Sequence, residues 1–108
     1  MDAPDPTSAD DLPILSIIEW DAPSLDLDAA HQLAERTAAA FRLVPGMLDF
    51  RFYGDFTSGR HAYLQVWQDQ AALDAYAASE SMLRIRDFAA PYVTSRPVRT
   101  LYRDYTPR

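Results

Sequence analysis

His61-Ala62-Tyr63-Leu64-Gln65-Val66-Trp67 alternates without a break: odd positions are polar or aromatic, even positions small or aliphatic. A β-strand sends successive side chains to opposite faces. One face of this strand is therefore dry, and the other carries hydrogen-bonding groups beside an indole. The preceding run, Met47-Leu48-Asp49-Phe50-Arg51-Phe52-Tyr53, repeats the pattern, with Leu48, Phe50 and Phe52 on one face and Asp49, Arg51 and Tyr53 on the other. A loop from Gly54 to Arg60, with Gly59 inside it, joins the two runs as a hairpin. In a register centred on Thr57, the polar faces merge into one surface of Asp49, Arg51, Tyr53, His61, Tyr63, Gln65 and Trp67, a candidate ligand floor.

Working outward, Ile14-Leu15-Ser16-Ile17-Ile18-Glu19-Trp20 is β-branched and apolar, and its near-continuous hydrophobicity predicts a strand covered on both faces. Asp26 or Asp28 can cap the helix that follows, where a carboxylate meets free backbone N–H groups. Ala30, Leu33, Ala34, Thr37 and Phe41 share one face of that helix, a face light enough in volume to pack close to a sheet or to leave room for a ligand. Pro45-Gly46 ends it. Beyond the hairpin, Asp69 caps a helix from Gln70 to about Ala78 that turns Leu73, Tyr76 and Ala77 inward. Ser79-Glu80-Ser81 interrupts it, and Met82 to Ala90 resumes with Met82, Ile85 and Phe88 facing inward. Residues 98–105 read as a last strand at a sheet edge.

The order β-α-β-β-α-β predicts an α+β, ferredoxin-like domain, a four-stranded antiparallel sheet with its helices on one face. Residues 1–12 read as a flexible acidic tail, and 13–108 as the single domain. The uncovered face, with Leu48, Phe50, Phe52, Ala62, Leu64 and Val66, predicts a face-to-face homodimer, since monomers rarely expose a large apolar patch. The reverse placement, with this dry face under the helices, fits the alternation equally.

Composition narrows the function. The 108 residues carry a net charge of −6, and every basic residue is an arginine, so the continuous basic patch that nucleic acid requires is missing. No apolar stretch approaches the roughly 20 residues of a membrane-spanning helix. Zero cysteines rule out disulfides and thiolate chemistry, and point to the cytoplasm. Two histidines 30 residues apart make no metal motif.

Three marks resemble one family. Val44-Pro45-Gly46-Met47-Leu48 is similar to a V-P-G-F-x junction after an amphipathic helix. Tyr63-Leu64-Gln65-Val66-Trp67-Gln68-Asp69 resembles a strand ending in Trp, and Ala71-Ala72-Leu73-Asp74-Ala75-Tyr76 the helix after it. Together they resemble the antibiotic biosynthesis monooxygenase-like branch of the dimeric α+β barrel superfamily, over residues 14 to about 105. The resemblance implies a cavity between the helices and the sheet, with the odd residues of 61–67 facing it. It also implies oxidation of a polyketide-like phenol by O₂ as co-substrate, with no cofactor or metal. Trp67 matches the family's Trp, and Arg86 aligns with its Arg across a one-residue gap. Tyr63 stands where those oxygenases carry Asn. Haem-degrading relatives need a His on the second helix, which this chain lacks.

The candidate catalytic residues are therefore Trp67, Tyr63, His61 as base, and Arg86. The candidate substrate-binding residues are Arg51, Tyr53, Gln65, Tyr76, Met82 and Phe88. The leading expectation is a cofactor-independent monooxygenase acting on a small aromatic substrate. A non-redox polyketide cyclase or isomerase, or a non-catalytic small-molecule-binding dimer, are its alternatives.

Overall fold

Strands and helices start and stop for local reasons. A computed structural model of the protein describes residues 8–107. Strand β1 (Ile14–Asp21) leads to helix α1 (Leu27–Phe41), capped by Asp26, whose Oδ1 accepts a hydrogen bond from the Ala29 N–H at 2.8 Å. Strands β2 (Met47–Asp55) and β3 (Arg60–Trp67) form the hairpin. Asp69 caps α2 (Gln70–Ala77) by accepting from the Ala72 N–H at 2.9 Å. Ser79 caps α3 (Glu80–Ala89) by accepting from the Met82 N–H, so Glu80 and Ser81 open a new helix rather than prolonging a break. Strand β4 (Val98–Arg103) closes the chain's regular structure, two residues shorter than the alternation predicts.

The four strands form one antiparallel sheet in the order β2-β3-β1-β4, the ferredoxin-like order that the sequence predicts. β4 and β2 are its edges. Of the expected tail, residues 1–7 lie outside the described residues, and Ala9–Asp11 form a short 3₁₀ turn capped by Ser8. Among the described residues, no helix is long and apolar enough to cross a membrane.

The hairpin register differs from expectation by one residue. β2 continues to Asp55, so the loop is shorter: Asp55 Oδ1 accepts from the Thr57 and Ser58 N–H groups, and Gly59, at φ +80°, returns the chain. Phe52 consequently pairs with Tyr63 and Phe50 with Gln65, while Arg51 pairs with Leu64 and Tyr53 with Ala62. Because the side-chain period of a strand is two, this slip sends Asp49, Arg51 and Tyr53 to the other face. A bulge at Leu48 shifts the ladder once more and returns Met47 to the side of Trp67. The polar surface drawn from the sequence thus divides: His61, Tyr63, Gln65 and Trp67 share the helix-covered face with Phe50 and Phe52.

Cross-strand rows define that inner face. One row runs Phe52–Tyr63–Ile18–Arg99, and the next Phe50–Gln65–Ser16–Leu101. The core has two lobes. One gathers Ile14, Phe41, Trp67, Leu73, Tyr76 and Ile85; the other gathers Trp20, Ala22, Leu25, Leu33 and Ala89. Tyr63 and Phe88 pack against both. Gly46, at φ +80°, lets the β2 entrance pass against α2, where a Cβ would collide with the Ala72 methyl.

Candidate active site

A cavity of about 210 Å³ opens between the inner face of the sheet and α3. Ile18 and Trp20 of β1, Tyr63 and Gln65 of β3 and Arg99 of β4 supply its sheet side. Phe41, Tyr76, Met82, Ile85, Arg86 and Ala89 come from the helices, and Val93 and Pro97 from the connector to β4. α3 packs on α1 and α2. The wall is mostly apolar and aromatic, the kind of surface that binds a flat ligand by desolvation and leaves orientation to a few polar groups.

Five of the ten candidate residues line this cavity: Tyr63, Gln65, Tyr76, Met82 and Arg86. Gln65 is 1% exposed, and its Oε1 accepts the indole N–H of Trp67 at 3.3 Å. Trp67 itself is completely buried, its ring tilted against Tyr76 at 5.1 Å between centroids. It is absent from the cavity lining and holds Gln65 instead, which corrects the expectation of an indole facing the ligand. That fixed acceptor leaves the Gln65 amide nitrogen without a protein partner among the described residues.

Tyr63 contributes its ring rather than its hydroxyl. The ring stands edge-on to Trp20 at 4.4 Å and to Phe52 at 5.3 Å, while the hydroxyl is buried without a hydrogen-bond partner among the described residues. Burial raises its pKa above 10.0, only partly opposed by the neighbouring Thr37 hydroxyl. Burial likewise pushes Tyr76 up to about 12, against the opposing charge of Arg99. Neither phenol is an acid near neutrality.

The other candidates lie elsewhere. His61 is on the inner face but at the hairpin end, outside the cavity lining. The residue is 5% exposed, its ring stacked on Trp20 and edge-on to Phe56. A Cβ on Gly54 would come within 2.6 Å of its Nδ1. Burial lowers its pKa below 6.5, outweighing the Ala22 carbonyl and the Asp55 carboxylate, which favour the charged form. A base so enclosed does not reach the cavity. Arg51 and Tyr53 lie on the outer face through the register slip, and Arg51 pairs with Asp49 at 2.7 Å. Phe88 lies beneath the Arg36 guanidinium and lines a separate groove with Ala40, Val44 and Ile85.

The sequence reading missed Trp20, Phe41 and Arg99. Phe41 was visible on the inner face of a predicted helix, whereas the near-continuous hydrophobicity of the first strand gave Trp20 no face. Arg99 carried no signal, because a charged residue on an edge strand is the ordinary case. Among the described residues, no group of three or more His, Cys, Asp or Glu could hold a metal ion.

No protein-family model and no curated protein matches this chain. Solved structures do. A provisionally named antibiotic biosynthesis monooxygenase from Caulobacter crescentus superposes with a TM-score of 0.75 at 15% identity, covering 90% of this chain and 93% of that one. SnoaB, a cofactor-independent oxygenase from Streptomyces nogalater, gives 0.68 at 17% identity, covering 89% and 96%. Rv0793 from Mycobacterium tuberculosis gives 0.69 at 18%, covering 88% and 97%. At these identities the likeness is one of architecture, and by it the chain has the fold of the antibiotic biosynthesis monooxygenase-like family.

Proposed function

We propose that this protein is a cofactor-independent monooxygenase that oxidises a small phenolic, polyketide-like compound with O₂. The observation that carries the reading is the aromatic-walled cavity with one held amide, Gln65, on its floor and two guanidinium groups, Arg86 and Arg99, at its edges. A phenolate is electron-rich enough to reduce O₂ itself, so the protein need only bind it, hold its charge and exclude bulk water. In the overall reaction a phenol and O₂ give a quinone and water. One oxygen atom bonds to the ring carbon, and the other leaves as water with the phenolic proton and the ring hydrogen. Gln65 donates its free amide N–H to the substrate oxygen, and Arg86 stabilises the phenolate. Trp67 acts through Gln65, fixing which end of the amide faces the ligand. The SnoaB likeness supports this reading at the level of fold.

Oxygen uptake by chelator-treated protein against anthrones, naphthols and hydroquinones tests it. Uptake is expected with at least one class, slowed in Trp67→Phe by about tenfold or more, the scale of one lost hydrogen-bonded orientation. Turnover of a proven substrate that is unchanged in Trp67→Phe and Gln65→Leu together would sink the assignment. No carboxylate or histidine lines the cavity, which favours a non-catalytic binding dimer over a cyclase as second reading. Saturable binding without uptake is its signature.

The functional unit proposed is a homodimer. Leu15, Ile17, Leu64 and Val66 pair across the outer face of β1 and β3, and exposed Tyr53, Val98 and Tyr102 lie on the outer face of the flanking strands. Phe50 and Phe52, assigned to this interface from sequence, belong to the core under α1. Sedimentation velocity at micromolar concentration should return a dimer, and a monomer there would contradict it.

A further inference from the structure

Ten arginines serve this acidic chain, and nine lie among the described residues. Arg51, Arg60 and Arg103 pair with carboxylates. Arg36 and Arg42 lie over the Phe88 and Phe50 rings, and Arg84 donates to Ser81 Oγ. The remaining three, Arg86, Arg96 and Arg99, have no carboxylate, hydrogen-bond or ring partner among the described residues. Two of those three lie at one place. Arg86 and Arg99 line the cavity, and Arg96 adjoins Pro97, which also lines it.

Arg86 has a partial structural explanation, since a cation in the last turn of α3 complements the helix dipole. Arg99 has none. Its strand register puts it at the end of the row Phe52–Tyr63–Ile18–Arg99, so the sheet fixes it at the β4 edge of the cavity floor. Its titratable neighbour in the wall is no acid but the Tyr76 phenol, which stays neutral. No Asp or Glu lines the cavity. Arg99 is solvent-exposed at the cavity mouth, so its guanidinium is hydrated rather than paired and is free to take an anionic group of a ligand that enters.

We infer that Arg99 receives a carboxylate of the substrate, so that the compound oxidised is a hydroxy-aromatic acid. This rests on the proposed phenol oxidation: with Arg86 assigned to the phenolate, Arg99 is the cation left for a second anionic group. Guanidinium and carboxylate match in planar, two-point geometry, and the pair is worth more at an apolar cavity edge than in water. The chain's net charge of −6 does not prevent this, because at physiological salt charges beyond about 8 Å are largely screened.

Fluorescence titration with 1-hydroxy-2-naphthoate and its methyl ester separates the possibilities. The acid should bind at least about tenfold tighter than the ester, and rising salt should weaken the acid alone. Arg99→Gln should remove most of that preference while the ester binds as before, which also reports that the variant is folded. Arg42→Gln, the same loss of charge outside the cavity, should leave both affinities unchanged. Equal binding of acid and ester, or a preference that survives in Arg99→Gln, would overturn the carboxylate assignment and leave the phenol reading standing. Failure of both probes to bind would overturn the aromatic site and this inference with it.

Discussion

The space beneath α1 and the space beneath α3 face the same sheet but are filled to different degrees. Under α1, Leu33, Thr37 and Phe41 reach the sheet, Phe41 lies parallel to Phe52 at 6.0 Å, and only about 30 Å³ remains between Ala30, Ala34, Phe52 and Tyr63. Under α3 about 210 Å³ stays open. The small residues of α1 therefore serve close approach, the first of the two options its light inner face left open. Room for a ligand comes instead from the break at Ser79, which starts α3 as a separate helix packed on α1 and α2. The residues of 90–97 then edge the opening rather than fill it, through Val93 and Pro97. One half of the layer is built for packing density, and the other keeps an unfilled volume that a folded core would ordinarily eliminate.

Enlarging one alanine in each half sharpens that contrast. Ala34→Leu forces three further carbons into the packed half and should cost about 1–3 kcal/mol in chemical denaturation, the usual penalty of overpacking. Ala89→Leu should cost less than Ala34→Leu, because Ala89 packs on the Trp20 and Leu33 lobe on one side but on the other its added atoms have the cavity to enter. Equal costs at the two sites would mean that the two halves are filled alike. The smallest effect belongs to pH. His61 is buried with a pKa below its ordinary 6.5, so the unfolded chain takes up its proton first as pH falls. Its contribution to stability is complete above about pH 6.5 and is lost as pH drops below that value. His61→Gln should flatten the Tm profile in that window, and an unchanged slope would show that the ring is not held neutral by burial.

The order of elements was legible because each rests on local chemistry. Alternation marks β2 and β3, Asp26 and Asp69 cap α1 and α2, and Pro45-Gly46 separates α1 from β2. The hairpin register was not legible from alternation alone, because both strands alternate and either parity joins them. It is set by the turn around Asp55 and Gly59 and by the bulge at Leu48, and one residue there exchanges Phe50 and Phe52 for Asp49, Arg51 and Tyr53. The site was legible in part for the same reason. Tyr63 and Gln65 follow from the alternation of β3, and Tyr76 and Met82 from helical spacing. Arg99 depends on β4 pairing with β1 far away in sequence, and His61, though on the inner face, lies at the hairpin end beyond the reach of the cavity.

On the proposed chemistry, catalysis occupies the open half of that layer. Oxygen uptake on an active phenol, with wild type and Ala89→Leu compared at matched stability, tests this most directly. Loss of most uptake in Ala89→Leu while the variant stays folded at the assay temperature is the expected result. Full uptake in a variant whose cavity is filled would contradict it.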